Sequence, residues 1–391
     1  MSESSTSTID AGATATAREI LQQPEVWQEL ESNIESSRHE VDAFLAPLLK
    51  LSDLRIILTG AGTSAFIGEI AAPALTKSLG RRVEAIATTD LVSNPAQFFA
   101  ERIPTLLVSF ARSGNSPESS AAANLADEVL GQELVHHLII TCDPTGNLAV
   151  ERRQEASSLL VLMPGKANDA GFAMTSSFTS MLLACLLIFE GNNGHTIRSL
   201  SSAVSEVLST RADEVGLLAE RAGNRVVYLG SGPLTGLARE SALKLLELTA
   251  GQTATYFDSA LGFRHGPKAV INDDTFVIVY VSSDPYTRRY DTDIVSELRS
   301  NLGADRVMTI STVPVSAGNG PEWTLEGLQG LDDAYLAAAY VVFAQLFGLH
   351  YSLRLGATPD NPFPGGDVNR VVKGVVIHPL GSSQPRINED N

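Results

Sequence analysis

Cysteine is scarce in this chain of 391 residues, which contains only Cys142 and Cys185. They lie far apart and in no C-x-x-C spacing, so neither a disulfide framework nor a zinc cluster is predicted. The seven histidines are scattered, and the adjacent His136 and His137 fall in a predicted strand, where neighbouring side chains face opposite ways. We therefore expect no metal, no cofactor and a reducing, cytoplasmic setting.

Basic residues are also under-represented, with 28 lysines and arginines against 45 aspartates and glutamates and a net charge of −17. Such a surface repels phosphate backbones, so a nucleic-acid partner is not expected. A local basic pocket inside it could still hold a small anion.

Membrane-spanning and export signals are not evident either. The apolar run from Met181 to Phe189 has nine residues, well short of the roughly 20 that cross a bilayer, and is predicted to be a buried helix. Residues 1–19 lack the basic and apolar regions of a signal peptide and are expected to form a polar leader. We predict no membrane association.

What the chain does have is length, glycine and a repeated α/β pattern. At 391 residues with 31 glycines and 44% hydrophobic residues, two domains or one large sheet protein are expected. Helical spacing over residues 16–50 predicts two opening helices. Short apolar runs then predict strands at 54–59, 83–88, 105–110, 135–141 and 158–162, with helices at 64–79, 117–130 and 172–190. This alternation predicts a parallel sheet.

The same pattern restarts 170 residues later, where residues 224–232 (NRVVYLGSG) match residues 54–62 (LRIILTGAG). A connecting helix at 196–221 is followed by predicted strands at 252–257, 275–282 and 306–311 and helices at 233–249, 286–301 and 330–355. We predict a duplicated doubly wound α/β fold. Its segments are residues 1–50, a leader with helices; 51–195, the first domain; 196–356, the connecting helix and second domain; and 357–391, a tail near the active site.

Gly60–Ala65 (GAGTSA) follows a strand and opens a helix, so it satisfies the dinucleotide pattern G-x-G-x-x-A. The nearest acidic residue, Asp90, lies too late for the ribose contact of a Rossmann fold. The glycines could simply permit a tight turn. Thr63 and Ser64, however, could cap the helix or join its N–H groups in holding an anion.

Residues 109–119 (SFARSGNSPES) make a second loop of this kind, after a strand and before a helix. Arg112, Ser113 and Ser116 could converge there with free N–H groups on a phosphate. No Walker lysine follows, which favours a sugar phosphate over a nucleotide. The alternative is plain N-capping by Ser113 or Ser116.

In the second half, Lys244 and Glu247 share one face of a predicted helix, together with Glu240. They could be a solvated stripe of surface ion pairs. His265 lies in the tight Gly262–Pro267 turn (GFRHGP), where a histidine suits proton exchange near neutral pH, although a lone loop histidine is usually just exposed.

Five motifs together, GAGTS, SFARSGNS, ALKLLELT, FRHGP and VNRVVK, resemble tandem sugar isomerase (SIS) domain proteins from about residue 50 onwards. The segments TGAGTSAFIG, GFAMTSS and GFRHGP are most similar to the AgaS-type galactosamine-6-phosphate deaminase/isomerase branch. The resemblance implies two flavodoxin-like SIS domains. It also extends to the isomerase half of glucosamine-6-phosphate synthase, whose glutaminase half has no counterpart here.

The resemblance implies roles for particular residues. Glu247 would move a proton between C1 and C2, and His265, from a neighbouring subunit of a homodimer or higher oligomer, would open the sugar ring. The implied substrate contacts are Gly62, Thr63, Ser64, Arg112, Ser113, Ser116, Thr175, Ser176, Lys244 and Lys373. The second half lacks RSGNS after its equivalent strand, so one phosphate site per chain is implied.

The implied reaction converts galactosamine 6-phosphate to tagatose 6-phosphate and ammonia. An aldose–ketose isomerase of neutral hexose 6-phosphates could use the same residues without releasing ammonia. A non-catalytic sugar-phosphate sensor is a third possibility, disfavoured by the presence of both Glu247 and His265. A dehydrogenase would rest on the glycine pattern alone.

Overall fold

The computed structural model describes residues 13–192, 194–372 and 374–381. Ten strands and thirteen helices form this part of the chain. The strands are β1 Arg55–Thr59, β2 Val83–Ala85, β3 Thr105–Ala111, β4 Val135–Thr141, β5 Ser158–Leu162, β6 Arg225–Gly230, β7 Ala254–Asp258, β8 Thr275–Tyr280, β9 Val307–Ser311 and β10 Glu322–Thr324. The helices are α1 Thr14–Leu21, α2 Gln23–Ser36, α3 Arg38–Leu49, α4 Thr63–Leu79, α5 Thr88–Ser93, α6 Pro95–Phe98, α7 Pro117–Leu130, α8 Asn147–Arg152, α9 Ser176–Glu190, α10 Thr196–Arg221, α11 Pro233–Leu248, α12 Thr287–Leu302 and α13 Asp333–Arg354.

Two five-stranded sheets form the framework, and the pairings within both are parallel. The first has the order β2-β1-β3-β4-β5 and the second the order β10-β9-β8-β6-β7. Counted from the first strand of each half, these are the same order, which is the flavodoxin-like one. The predicted doubly wound α/β fold is confirmed.

The strand order determines where a ligand can bind. In the first sheet the chain leaves β1 for β2 on one side and returns to β3 on the other, so a crevice opens where β1 and β3 end. The two hydroxyl-rich loops follow these two strands.

Helices α4 and α11 are equivalent in the duplication and pack against each other. Their preceding glycines have nearly identical backbone angles, φ 56° at Gly62 and φ 58° at Gly232, a left-handed region that favours glycine. Arg239 of α11 forms an ion pair with Glu69 of α4, and these two residues are themselves separated by the 170-residue repeat offset. The two halves therefore meet through equivalent helices.

The element boundaries differ from the predictions at a few points. Three opening helices occur instead of two, because the chain turns at Gln22 and again at Ser37. The predicted strand at 83–88 ends at Ala85, and the short edge strand β10 was not predicted. Edge strands of three residues carry too little periodicity to stand out.

Helix α13 contains a longer apolar run, Ala334–Ala344, than Met181–Phe189. By length and composition alone it could cross a membrane, but 89% of its most apolar window is buried inside the protein. It packs against α10 and α11 and contributes Tyr340, Phe343 and Phe347 to the main core. Its apolar character is that of a core helix.

Candidate functional site

A cavity of about 220 Å³ lies at the crevice between β1 and β3. Its wall comes from five parts of the chain: the loop that opens α4, the loop between β3 and α7, the segment between β5 and α9, the face of α11, and the tail. Most of the predicted site residues line it, namely Gly62, Thr63, Ser64, Arg112, Ser113, Ser116, Lys244 and Glu247. Phe172, Met174, Val368, Asn369, Arg370 and Val372 line it as well.

The hydroxyls of the first two loops are not used as helix caps. Ser116 occupies the N-cap position of α7 but makes no side-chain capping bond, and Gly62 takes that position at α4. Ser113 Oγ accepts a 3.3 Å bond from the Asn115 backbone N–H, within its own loop. The capping alternative is thus not observed for Ser113 or Ser116, and their hydroxyls line the cavity.

Arg112 lies at the end of β3 and is 8% exposed. Its guanidinium donates to the carbonyl oxygens of Phe172 at 3.0 Å and Arg370 at 3.1 Å. Burial lowers the pKa of Arg112 to about 10, so the group stays charged at neutral pH. Among the described residues, no carboxylate lies within ion-pair distance of it.

Helix α11 presents Lys244 and two carboxylates towards this end of the sheet. Lys244 Nζ donates to Glu247 Oε2 at 2.5 Å and lies 3.6 Å from Glu240 Oε1. Glu240 and Lys244 are fully buried, whereas the Glu247 side chain is 24% exposed and lines the cavity. The alternative of a solvated stripe is therefore wrong, because α11 buries this face against α4 and α13.

Burial and neighbouring charges shift the pKa values of Glu240 and Lys244 on this face of α11. Burial raises the pKa of Glu240 to about 8, with Lys244 opposing the rise, so this carboxyl is largely protonated at neutral pH. Burial alone would lower the pKa of Lys244, but the charges of Glu240 and Glu247 raise it. Lys244 therefore lies between the buried carboxyl of Glu240 and the partly exposed carboxyl of Glu247.

Thr175 and Ser176 do not reach the cavity, which corrects their predicted substrate contacts. Both are buried, and the backbone N–H of Thr175 donates to Asp169 Oδ2 at 2.7 Å. Ser176 Oγ donates to the Glu19 carbonyl at 2.7 Å. These residues build the turn that starts α9 rather than a binding surface.

His265 is exposed and does not line the cavity. It ends a single 3₁₀ turn, Gly262–Arg264, after β7 in the second half. Lys373 lies outside the described residues. Within one chain, the cavity therefore contains the predicted base, Glu247, without the predicted histidine.

At the matching edge of the second sheet, carboxylates accept hydrogen bonds from the loop donors. Asp291 accepts bonds there from the Ser231 hydroxyl at 2.5 Å and the Ser282 N–H at 2.9 Å. Asp333 accepts from the Ser283 N–H at 2.7 Å. Two carboxylates thus accept the hydrogen bonds that a bound anion would need. Another cavity, of about 200 Å³ between α10 and β10, contains none of the predicted site residues.

The tail and the first helix also contribute residues around this site. Phe363 packs on Phe172 with ring centroids 5.2 Å apart, and the Arg370 side chain donates to the Asp169 carbonyl. Glu19 of α1 accepts bonds from the same turn, residues 169–172. The VNRVVK motif and the predicted tail at 357–391 indicated this part of the chain, whereas nothing in the sequence marked Glu19.

Comparison with known proteins places these features in a family. The SIS domain model matches residues 49–191. The chain is 53% identical to an AgaS protein of Streptomyces coelicolor over 95% of this chain and 97% of that one. It is 46% identical to the D-galactosamine-6-phosphate deaminase AgaS of Escherichia coli over 97% and 99%. The crystal structure of tagatose-6-phosphate ketose/aldose isomerase from Escherichia coli superposes with a TM-score of 0.86 at 44% identity, covering 95% and 99%.

Proposed function

Because the chain belongs to the AgaS family of SIS-domain proteins, we propose that it is an amino-sugar phosphate deaminase/isomerase. Its substrate is galactosamine 6-phosphate, and its products are tagatose 6-phosphate and ammonia. The observation that carries this proposal is the position of Glu247. This carboxylate, bonded to Lys244, shares one cavity with the two hydroxyl loops.

The phosphate group binds at the loops of the first sheet. Thr63, Ser64, Ser113 and Ser116 supply hydroxyls, and Arg112 supplies a positive charge that no carboxylate of the described chain neutralises. Helix N-termini at α4 and α7 add partial positive charge. Binding energy from this remote group places C1 and C2 of the sugar beside α11.

Glu247 carries the proton. In the open-chain amino aldehyde it removes the proton from C2, which gives an enolamine, and returns a proton to C1, which gives a ketimine at C2. Water adds to the ketimine carbon, the C–N bond breaks, and ammonia leaves the ketose 6-phosphate. Lys244 stabilises the charge that develops on the sugar oxygen during the transfer. None of these steps needs a metal or a cofactor.

Ring opening requires a second acid/base, and His265 is the candidate. Because it is exposed and lies outside the cavity of its own chain, we propose that it completes the site of a second copy in a homodimer or higher oligomer. It protonates the ring oxygen while the anomeric hydroxyl loses its proton.

The test is ammonia release from galactosamine 6-phosphate and glucosamine 6-phosphate, offered side by side to the purified protein. We expect ammonia and a ketose 6-phosphate from the galacto sugar. Ketose formation from galactose 6-phosphate without ammonia from either amino sugar would favour the isomerase alternative, which the name of the superposed Escherichia coli structure supports. Phosphosugar binding without turnover would instead indicate a sensor.

The role of Glu247 is tested with Glu247→Gln, which keeps the size of the side chain but removes the base. We expect turnover to fall by at least about a hundredfold, with sugar-phosphate affinity changed little, because Glu247 is not among the phosphate-binding groups. Steady-state kinetics together with calorimetric titration separate the two quantities. Turnover equal to that of the unsubstituted protein would remove the assignment of Glu247.

A further inference from the structure

Glu19 is a buried carboxylate of α1 that belongs to none of the groups assigned above. It is 2% exposed, and its Oε1 accepts a 2.7 Å bond from the Ala170 N–H. Its Oε2 accepts a 3.2 Å bond from the Gly171 N–H. A buried charge is expensive unless hydrogen bonds compensate it, so this carboxylate and this turn hold each other in place.

The turn formed by residues 169–172 packs tightly against α1. A Cβ atom at Gly171 would lie 2.9 Å from Glu19 Oε2 and 3.0 Å from Thr16 Oγ1. Both distances are tighter than ordinary packing allows. The end of α1 is itself tied down, because Gln22 donates to the Lys166 carbonyl and to Ser176 Oγ at 2.8 and 2.9 Å. The turn therefore follows the position of α1 closely.

The other side of the same turn holds Arg112. The guanidinium donates to the Phe172 carbonyl at 3.0 Å and the Gly171 carbonyl at 3.4 Å. Gly171 thus bonds Glu19 through its N–H and Arg112 through its carbonyl. The N–H and the carbonyl belong to consecutive planar peptide units, so only the two dihedral angles of Gly171 separate the contact to Glu19 from the contact to Arg112.

Two arginines that contact this turn line the cavity, Arg112 and Arg370. Arg112 is the one that bonds the carbonyl of Gly171, the residue whose N–H bonds Glu19. Its contacts to carbonyl oxygens orient the guanidinium fork but do not cancel its charge, and the fork geometry suits phosphate oxygens. We propose that Glu19 is a positioning residue for the phosphate-binding Arg112, acting through the turn at residues 169–172. This inference rests on the proposed function only in taking the cavity as a phosphate site.

The experiment measures the binding of inorganic phosphate by calorimetry, which needs no turnover. Glu19→Gln keeps the size of the side chain, but it removes the negative charge and replaces one acceptor oxygen by an NH₂ donor. We expect the Kd for phosphate to rise about tenfold, the scale of loss when a partner that orients a binding group is removed. Glu25→Ala is the matched control, since Glu25 is an exposed α2 carboxylate that pairs with Lys166 beside the same turn. It should leave the Kd unchanged.

A second variant keeps the Glu19 charge and disturbs the contact between the turn and α1. Gly171→Ala should weaken phosphate binding to a similar extent, because its Cβ displaces the turn from α1. Thermal unfolding of each variant verifies that it is folded at the temperature of the titration.

A double-mutant cycle distinguishes positioning from general loosening of the structure. If Glu19 acts through Arg112, Glu19→Gln should cost little once Arg112→Lys has removed the fork. Full additivity, or an unchanged Kd in Glu19→Gln and Gly171→Ala, would overturn the positioning role while leaving the proposed function intact. A protein that binds no phosphate at all before substitution would contradict the phosphate site itself, and both proposals with it.

Discussion

At the residue scale, the two hydroxyl loops and the charged residues of α11 have different proposed roles, the first in substrate binding and the second in proton transfer. Ser113 and Ser116 line the cavity without capping α7, so their proposed contribution is to ground-state binding. Ser113→Ala combined with Ser116→Ala should raise KM for the sugar phosphate by about tenfold and change kcat by less than about threefold. Steady-state kinetics at one pH measure both constants. A large fall in kcat at unchanged KM would assign these hydroxyls to the chemical step instead.

Glu240 makes stability depend on pH. Its pKa in the folded protein is about 8, raised by burial above the ordinary value of 4.5. Because the pKa is higher in the folded protein than in the unfolded chain, protonated Glu240 contributes its full stability below the unfolded-state pKa. That stability is lost as the pH rises towards 8. Glu240→Gln removes this titration. Between pH 5 and pH 8, the free energy of unfolding of the variant should therefore rise relative to that of the original protein by more than about 1 kcal/mol.

Urea unfolding at pH 5, 6.5 and 8 measures this difference. Asp291, whose pKa is raised to about 6 by burial, contributes a slope of the same sign to both proteins and cancels in the comparison. A constant difference across the three pH values would show that Glu240 is already ionised at pH 5.

At the element scale, α1 is anchored from the far end of the chain. Asp360 accepts bonds from the backbone N–H of Ala15 at 3.0 Å and of Thr16 at 2.8 Å, and from the Thr16 hydroxyl at 2.7 Å. It thereby satisfies the free N–H groups of the first turn of α1, although it lies 345 residues away from Ala15. The tail thus helps to position the helix that carries Glu19.

Asp360→Ala should lower the free energy of unfolding by about 1 kcal/mol, as the loss of a helix cap does. Chemical denaturation measures it, with Asp367→Ala as the control because Asp367 is an exposed carboxylate of the same tail. If both variants lose the same stability, the capping interaction contributes nothing specific.

At the scale of the whole molecule, the site requires more than one half of the chain. The two hydroxyl-rich loops belong to the first sheet and Glu247 to the second half, and they meet because the equivalent helices α4 and α11 pack against each other. Our proposal extends this requirement to a second copy of the chain, which would bring His265.

Subunit mixing tests that extension. Neither Glu247→Gln nor His265→Ala subunits should be active alone, but a heterodimer of the two contains one site with both original residues. We expect activity to return on mixing, measured as ammonia release from heterodimers verified by two affinity tags. Inactive heterodimers would mean that both residues serve the site of their own chain.

The sequence by itself determined the duplicated parallel α/β fold and the residues that open the cavity loops. Strand runs and helix periods are local signals, and a loop that follows a parallel strand must lie at the carboxyl edge of its sheet. That is why Thr63, Ser64, Arg112, Ser113 and Ser116 could be identified before the structure was known.

Only the tertiary structure decided which polar side chains face inward. Spacing along a helix shows that Glu240, Lys244 and Glu247 share a face, but not that α4 and α13 bury it. Local sequence likewise did not indicate that Thr175 and Ser176 form hydrogen bonds to Asp169 and Glu19. These outcomes depend on contacts between segments that are distant in sequence, and no local pattern encodes the geometry of such contacts.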